Sequence, residues 1–304
     1  MRGRGAVAAI VACMVAVAAA GCGLGPGAGL EDVRLTVTRD YGRTEVLARD
    51  VGDVTESDSV MRVLERNAEI STRYGGGFVQ SIDGLEAQER FGRSLDWFFY
   101  VDGVESTVGA ADYPLRGGES VWWDYRDWGA AISVPAVVGS WPQPFVGGYE
   151  GRRHPVAVEC QGGGRACVTV RRRLRAAGAT IAAGVPGDAI RMLVGPWGLV
   201  REDPAAAQVE AGPRRSGVFA GFRRGPAGYA MQGLDVGGDV ARTFGPEAGL
   251  VAATRHGEAP PVWLVTGVDQ EGVEAAAGLL DAASLRDRYA VAVDGGREEA
   301  LPLR

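Results

Sequence analysis

Four cysteines, two histidines and seven tryptophans hold most of the chemical potential of this 304-residue chain, and every one of its 32 basic residues is arginine. Without lysine, a Walker-type phosphate loop has no side chain to reach the nucleotide, and no amine is available for a Schiff base. His154 and His256 are far apart, and no Gly-x-Ser-x-Gly elbow or His-Glu-x-x-His helix occurs. The groups that histidine-dependent nucleophilic catalysis needs do not come together, so the chain reads as a non-enzyme with no cofactor. With 38 acidic residues, a net charge of −6 and no basic stripe, nucleic acid is not an expected partner.

Cysteine chemistry and aromatic surface remain. Arg2 and Arg4 precede an unbroken apolar run over residues 6–20, closed by Ala19-Ala20-Gly21-Cys22. A positive start, an apolar stretch shorter than the ~20 residues that span a bilayer and small residues at the cut make a secretory signal over residues 1–22. The closing tetrapeptide resembles the lipobox of bacterial lipoproteins. That implies cleavage before Cys22, lipid on its sulfur, and an extracytoplasmic chain anchored to a bacterial membrane through that lipid. An uncleaved anchor, or a secretory signal with a chance cysteine, are the alternatives. Glycine-rich residues 23–30 then serve as a flexible tether. Cys160 and Cys167 pair by default as a disulfide in an oxidising compartment. Their spacing does not suit Cys-x-x-Cys redox chemistry, and only His154 is near enough to share a metal with them, so no metal site is expected.

Trp97, Tyr100, Tyr113, Trp122, Trp123, Tyr125 and Trp128 form a dense aromatic set. Rings with a polar edge suit the flat face of a large ligand or a glycan, and they equally suit a core. Trp122 and Trp123, adjacent on a strand, must face opposite sides. The Cys160–Arg165 loop, with three glycines between a strand and a helix, is either an anion cradle or a tight turn. Asp269, at the end of an apolar strand, is either a catalytic or ligand-binding carboxylate or a helix cap.

The elements that must position these groups fall into two units. Over residues 31–128, alternation predicts strands at 33–38 and 44–51, then a helix from about residue 60 with Ser57 and Asp58 offering cap oxygens. Strands at 78–82, 95–101 and 121–125 follow, separated by Asp83-Gly84, Asp102-Gly103 and Arg116-Gly117-Gly118 turns. The order β-β-α-β-β-β suggests a β-grasp-like sheet crossed by one helix. Residues 129–150 read as a connector too apolar to hang free. Residues 151–304 alternate strands, one of them at 180–182, with helices at 166–177, 204–210 and 270–281, and close on a strand at 289–293. That rhythm indicates an α/β unit, and the whole chain is classed as α+β.

The segment from about 33 to 127 resembles the bacterial family of transcobalamin C-terminal-like domains, a family of largely unknown function. The resemblance is carried by Phe78-Val79-x-Ser81-Ile82-x-Gly84 and Trp97-x-x-Tyr100-Val101-Asp102-Gly103-Val104. It continues through Gly109-Ala110-x-Asp112-Tyr113 and Gly118-Glu119-x-Val121-x-Trp123-x-Tyr125. The family usually has Asn where Asp102 stands. In animal cobalamin carriers the similar domain is a lid over the corrin ring, facing helical repeats that this chain lacks. The resemblance implies a ligand-facing edge at Trp97, Tyr100, Gly109, Asp112, Tyr113 and Trp123. It implies capture of cobalamin or a related large flat molecule for a membrane importer, with the α/β unit as the second wall. The alternative is an envelope module that binds protein or glycan. A deep aromatic cleft between the units favours the first and an exposed aromatic face the second.

Overall fold

The computed structural model describes residues 27–90, 92–226 and 228–304. The signal, Cys22 and the first part of the tether lie outside them. The first unit contains β1 (Val33–Arg39), β2 (Thr44–Val51), α1 (Val60–Asn67), β3 (Ile70–Arg73), β4 (Phe78–Ile82), β5 (Leu85–Glu86), β6 (Gln88–Arg90), β7 (Arg93–Val101), β8 (Val104–Glu105) and β9 (Ser120–Asp127). Its main sheet runs β2-β1-β9-β7-β6, with β8 on β7, and β3-β4-β5 make a second, small sheet. β1 and β9 are parallel neighbours, while β2 and β7 flank them antiparallel.

Val33, Leu35 and Val37 of β1 alternate onto the face covered by α1, which returns Val60, Val63 and Leu64 at helical spacing. Ser59, not Ser57 or Asp58, caps α1, its Oγ accepting from the Arg62 N–H at 3.4 Å. Asp58 instead ties down the preceding turn through the Thr55 N–H (2.8 Å) and pairs with Arg66 at 2.6 Å.

The second unit contains β10 (Val156–Cys160), α2 (Arg165–Ala176), β11 (Ile190–Pro196), α3 (Trp197–Val200), α4 (Pro204–Ala207), α5 (Pro213–Ser216), β12 (Ala220–Gly225), β13 (Gly228–Leu234), β14 (Val240–Thr243), β15 (Gly249–Thr254), β16 (Val262–Gly267), α6 (Gln270–Gly278), α7 (Ala282–Leu285), β17 (Ala290–Asp294) and β18 (Arg297–Leu301). A mixed sheet runs β10-β11-β16-β15-β17-β18, parallel over its first three strands, and β12-β13-β14 form a separate antiparallel sheet. β15 and β16 are buried on both faces, which is why they read as unbroken apolar runs.

Three expectations change. The chain closes on β18, whose polar Arg297-Glu298-Glu299 hides a strand that hairpins back on β17. The helix expected to reach residue 281 stops at Gly278, because Asp281 turns to cap α7 through the Ala283 and Ser284 N–H groups. Residues 180–182 contribute one bridge, Val156 with Ile181, rather than a strand.

The two units share a core. The opposite face of β9 presents Trp122, Asp124 and Arg126, all buried, to residues of the second unit. Trp122 and Tyr100 join Val134 and Val137 of the connector and Phe219 and Tyr289 of the second unit in one apolar cluster. Tyr289 makes edge contacts with Tyr41 (4.9 Å), Trp122 (5.3 Å) and Tyr100 (5.8 Å). At the centre, Asp124 Oδ1 accepts from Thr38 Oγ1 at 2.6 Å and the Gly42 N–H at 3.1 Å, and Oδ2 accepts from the Tyr289 hydroxyl at 3.0 Å. Trp122 Nε1 donates to Thr38 Oγ1 at 2.7 Å. Arg126 lies over the Phe98 ring at 3.7 Å and donates to the Ala131 and Ile132 carbonyls at 2.6 and 3.0 Å. Gly42, at φ +77°, allows the closest approach, since a Cβ there would lie 1.7 Å from the Asp287 carbonyl oxygen. The centre of the seam is filled; at its edge a depression of about 280 Å³ lies between Arg34, Thr36 and Ser120 of the first unit and Ala282, Arg286 and Asp287 of the second, with Trp141 of the connector its one aromatic lining residue.

Asp124→Ala removes the acceptor shared by Thr38, Gly42 and Tyr289 and is expected to cost about 3 kcal/mol of stability in urea unfolding. With a shared core, the parent should show one transition, coincident by tryptophan fluorescence and far-UV circular dichroism. Two separated transitions would show that the units fold independently.

Candidate ligand site

Strand alternation sorts the aromatic residues. In the β7–β9 register, Trp97 opposes Tyr125 and Phe99 opposes Trp123, and these four share the face turned from the second unit. Phe99 stacks on Trp123 at 4.9 Å, and Trp97 lies 5.1 Å from Tyr125. Two polar edges are fixed within the unit: Trp97 Nε1 donates to the Leu85 carbonyl at 3.0 Å and Tyr125 Oη to the Glu86 carbonyl at 2.6 Å. The Trp123 indole N–H is buried with no partner.

Against this ladder lies a slot of about 250 Å³, walled by Trp97, Phe99, Trp123, Phe78, Val79 and Met61, with Ser106, Gly109 and Ala110 along one rim. Phe78 is 40% exposed and Tyr74 86% exposed, packed edge-on at 6.3 Å to form a lip.

The six residues expected at a ligand edge are therefore divided. Trp97, Trp123 and Gly109 border the slot. Tyr100 points through the sheet into the seam, fully buried, its hydroxyl 3.3 Å from that of Tyr289. Tyr100 follows Trp97 at an offset of three, an odd number that places them on opposite faces of a strand. Asp112 is exposed on the loop beside Gly109, outside the slot wall. Tyr113 is buried on the other side of that loop, donating to Glu119 Oε1 at 3.1 Å. The 109–113 loop also anchors the helix, since the Ala110 and Tyr113 carbonyls accept the Met61 and Val60 N–H groups, two of the unpaired donors at the start of α1. Phe99, Phe78 and Met61 lie outside the expected set. Phe99 is open to detection, being two residues from Trp97 on the same strand.

Cys160 and Cys167 are disulfide-bonded, their Cα atoms 6.0 Å apart across the glycine turn. Asp269 caps α6, Oδ1 accepting from the Gly272 N–H at 2.9 Å. His154 stacks on Tyr149 at 4.1 Å. Among the described residues, no group of three or more His, Cys, Asp or Glu side chains could hold a metal ion, and no helix is long and apolar enough to cross a membrane.

Comparison with known proteins places residues 57–127 in a match to the family model described as "Domain of unknown function (DUF4430)". This is the stretch from α1 to β9 and carries most of the motifs quoted above. Among solved structures, the chain is similar to a "putative metal binding protein" from Ruminococcus gnavus ATCC 29149 at 17% identity. The likeness covers 32% of this chain and 97% of that one, with a TM-score of 0.27. No curated protein matches.

Asp102 turns the β7–β8 hairpin at φ +52° with Gly103 at φ +76°, and its Oδ1 accepts from the Ser120 N–H at 2.9 Å. Burial, with the charge of Glu119 adding to it, pushes its carboxyl up to about 8. The folded protein therefore holds a proton that the unfolded chain releases near pH 4, so stability falls as pH rises from about 4 to about 8. Asparagine tolerates the left-handed turn and can accept the same bond. Asp102→Asn should leave the melting temperature unchanged below about pH 4 and raise it by several degrees at pH 8. A difference that does not grow with pH would contradict a buried, proton-holding Asp102.

Proposed function

We propose that this protein is a binding module, not an enzyme, carried outside the cytoplasm on a lipid at Cys22. Its working site is the aromatic slot on the outer face of the first unit. The observation that carries this reading is the Trp123 indole N–H, buried and unpartnered in a wall of the slot. A buried donor without a partner is uncommon enough to require an account, and a ligand acceptor supplies one. The N–H groups of Trp197 and Trp263 are also unpartnered, but those rings sit in the inner cores.

The slot sets the ligand class. At about 250 Å³ it is smaller than most sites that enclose a whole cofactor-sized molecule. It accommodates one flat apolar group against the rings of Phe99 and Trp123. Of a cobalamin-like ligand it takes a peripheral flat group and not the macrocycle, because the seam that would supply a second wall is filled. Hand-over to a membrane importer fits a lipid-anchored module but draws no support from the slot itself. A second reading, contact with a glycan or protein surface, is favoured by the exposed Tyr74–Phe78 lip, since exposed rings stack on flat apolar faces.

Tryptophan fluorescence of the secreted chain (Cys22→Ser) titrated with 2-naphthol, cobinamide and soluble oligosaccharides tests this. Saturable quenching by 2-naphthol, weakened at least tenfold in Phe99→Ala and unchanged in Tyr289→Phe at the seam, is the expected result. Binding that is indifferent to Phe99 and lost with Tyr289 would move the site to the seam and refute the reading.

A further inference from the structure

The rim of the slot leads elsewhere. Ser106 also borders a second depression of about 210 Å³ with Val108, Tyr113 and Pro114, and Arg116 and Gly151 join that depression to a third, of about 220 Å³. These shared residues set the three depressions side by side along the edge of the first unit, apolar at one end and lined by Arg116, Arg152 and Arg153 at the other.

These arginines come from two segments far apart in the chain, and among the described residues none of the three has an ion pair, although twelve other arginines do. The nearby Glu150 is engaged by Arg255 at 2.9 Å. Glycine brings them close: a Cβ on Gly151, at φ +71°, would stand 2.3 Å from Arg116 Nε, so the guanidinium rests directly on the bare backbone. Two carboxylates line the same pocket, but both face their own turns. Glu119 accepts from Tyr113 Oη and the Arg116 N–H, and Asp102 accepts from the Ser120 N–H. Burial leaves Asp102 largely protonated at neutral pH. Three arginines against the Glu119 carboxylate leave the pocket with an excess of positive charge, and guanidinium forks match the paired oxygens of a phosphate or carboxylate.

We propose that the pocket of Arg116, Arg152 and Arg153 binds an oxyanion, the phosphate or carboxylate end of an elongated ligand whose apolar end reaches the aromatic slot. The anion half stands on the arginine pocket alone, and the apolar half rests on the slot reading above.

Isothermal titration with inorganic phosphate, and with decyl phosphate below its micelle concentration, separates the two halves. Phosphate should bind saturably, and Arg116→Gln should weaken both ligands at least tenfold, while Arg172→Gln on α2 leaves them unchanged. Unaltered melting temperatures would show that the variants are folded. Decyl phosphate should bind at least tenfold more tightly than phosphate, and Phe99→Ala should remove only that advantage. No saturable phosphate binding, or equal losses in Arg116→Gln and Arg172→Gln, overturns the anion site. A decyl phosphate advantage that survives Phe99→Ala overturns the link to the slot and leaves the anion site standing.

Discussion

The Asp124 carboxylate is wholly out of water, and the donors that satisfy it come from β1, from the turn after β1 and from Tyr289, 165 residues further on. A buried carboxylate is tolerable only where hydrogen bonds replace its hydration, so this one constrains everything around it. Thr38 must face away from α1, the β1–β2 turn must come within van der Waals reach of the second unit, and Tyr289 must enter from the far sheet. Apolar packing alone would permit many ways of setting one sheet against the other. A directional acceptor with three donors permits few.

Closing that face decides which surface of the first unit stays open. β9 has buried side chains on both sides, so rings that alternate along it and along β7 have only two destinations. Tyr100 and Trp122 go to the seam, and Phe99 and Trp123 go to the outer face. The seam is hydrogen-bonded around Asp124 and leaves Arg126 Nε unpartnered in a filled core, whereas the outer face has an open slot beside the unpartnered Trp123 indole N–H. The connector, apolar enough to be buried, fills the remaining gap: Val134 and Val137 enter the central cluster, and Val138 and Phe145 the second.

Much of this is legible from local pattern. The Asp83-Gly84 and Asp102-Gly103 hairpins announce themselves because few residues tolerate positive φ, and both adopt it. The strands of β1, β7 and β16 and the helix face of α1 follow from apolar period. The disulfide follows from cysteine count, and the two sulfurs are bonded. What escapes a local reading depends on partners distant in sequence. β18 is polar on its exposed side and is a strand only because β17 pairs with it. The role of the 109–113 loop depends on where α1 begins, and the arginine pocket joins residue 116 to residues 152 and 153. Tyr100 groups with Trp97 by sequence because both belong to one motif. A motif records neighbours along the chain, and strand geometry then separates them.

The shared core predicts that the two units move as one body, with the proposed binding surface outside the seam. Pulsed electron paramagnetic resonance between nitroxides at Glu65 on α1 and Arg172 on α2, both exposed, measures this directly. A rigid body gives a single narrow distance distribution that neither 2-naphthol nor cobinamide alters. A broad or two-component distribution that narrows when cobinamide is added would mean that the units open and close on their ligand, and the seam would then be the site.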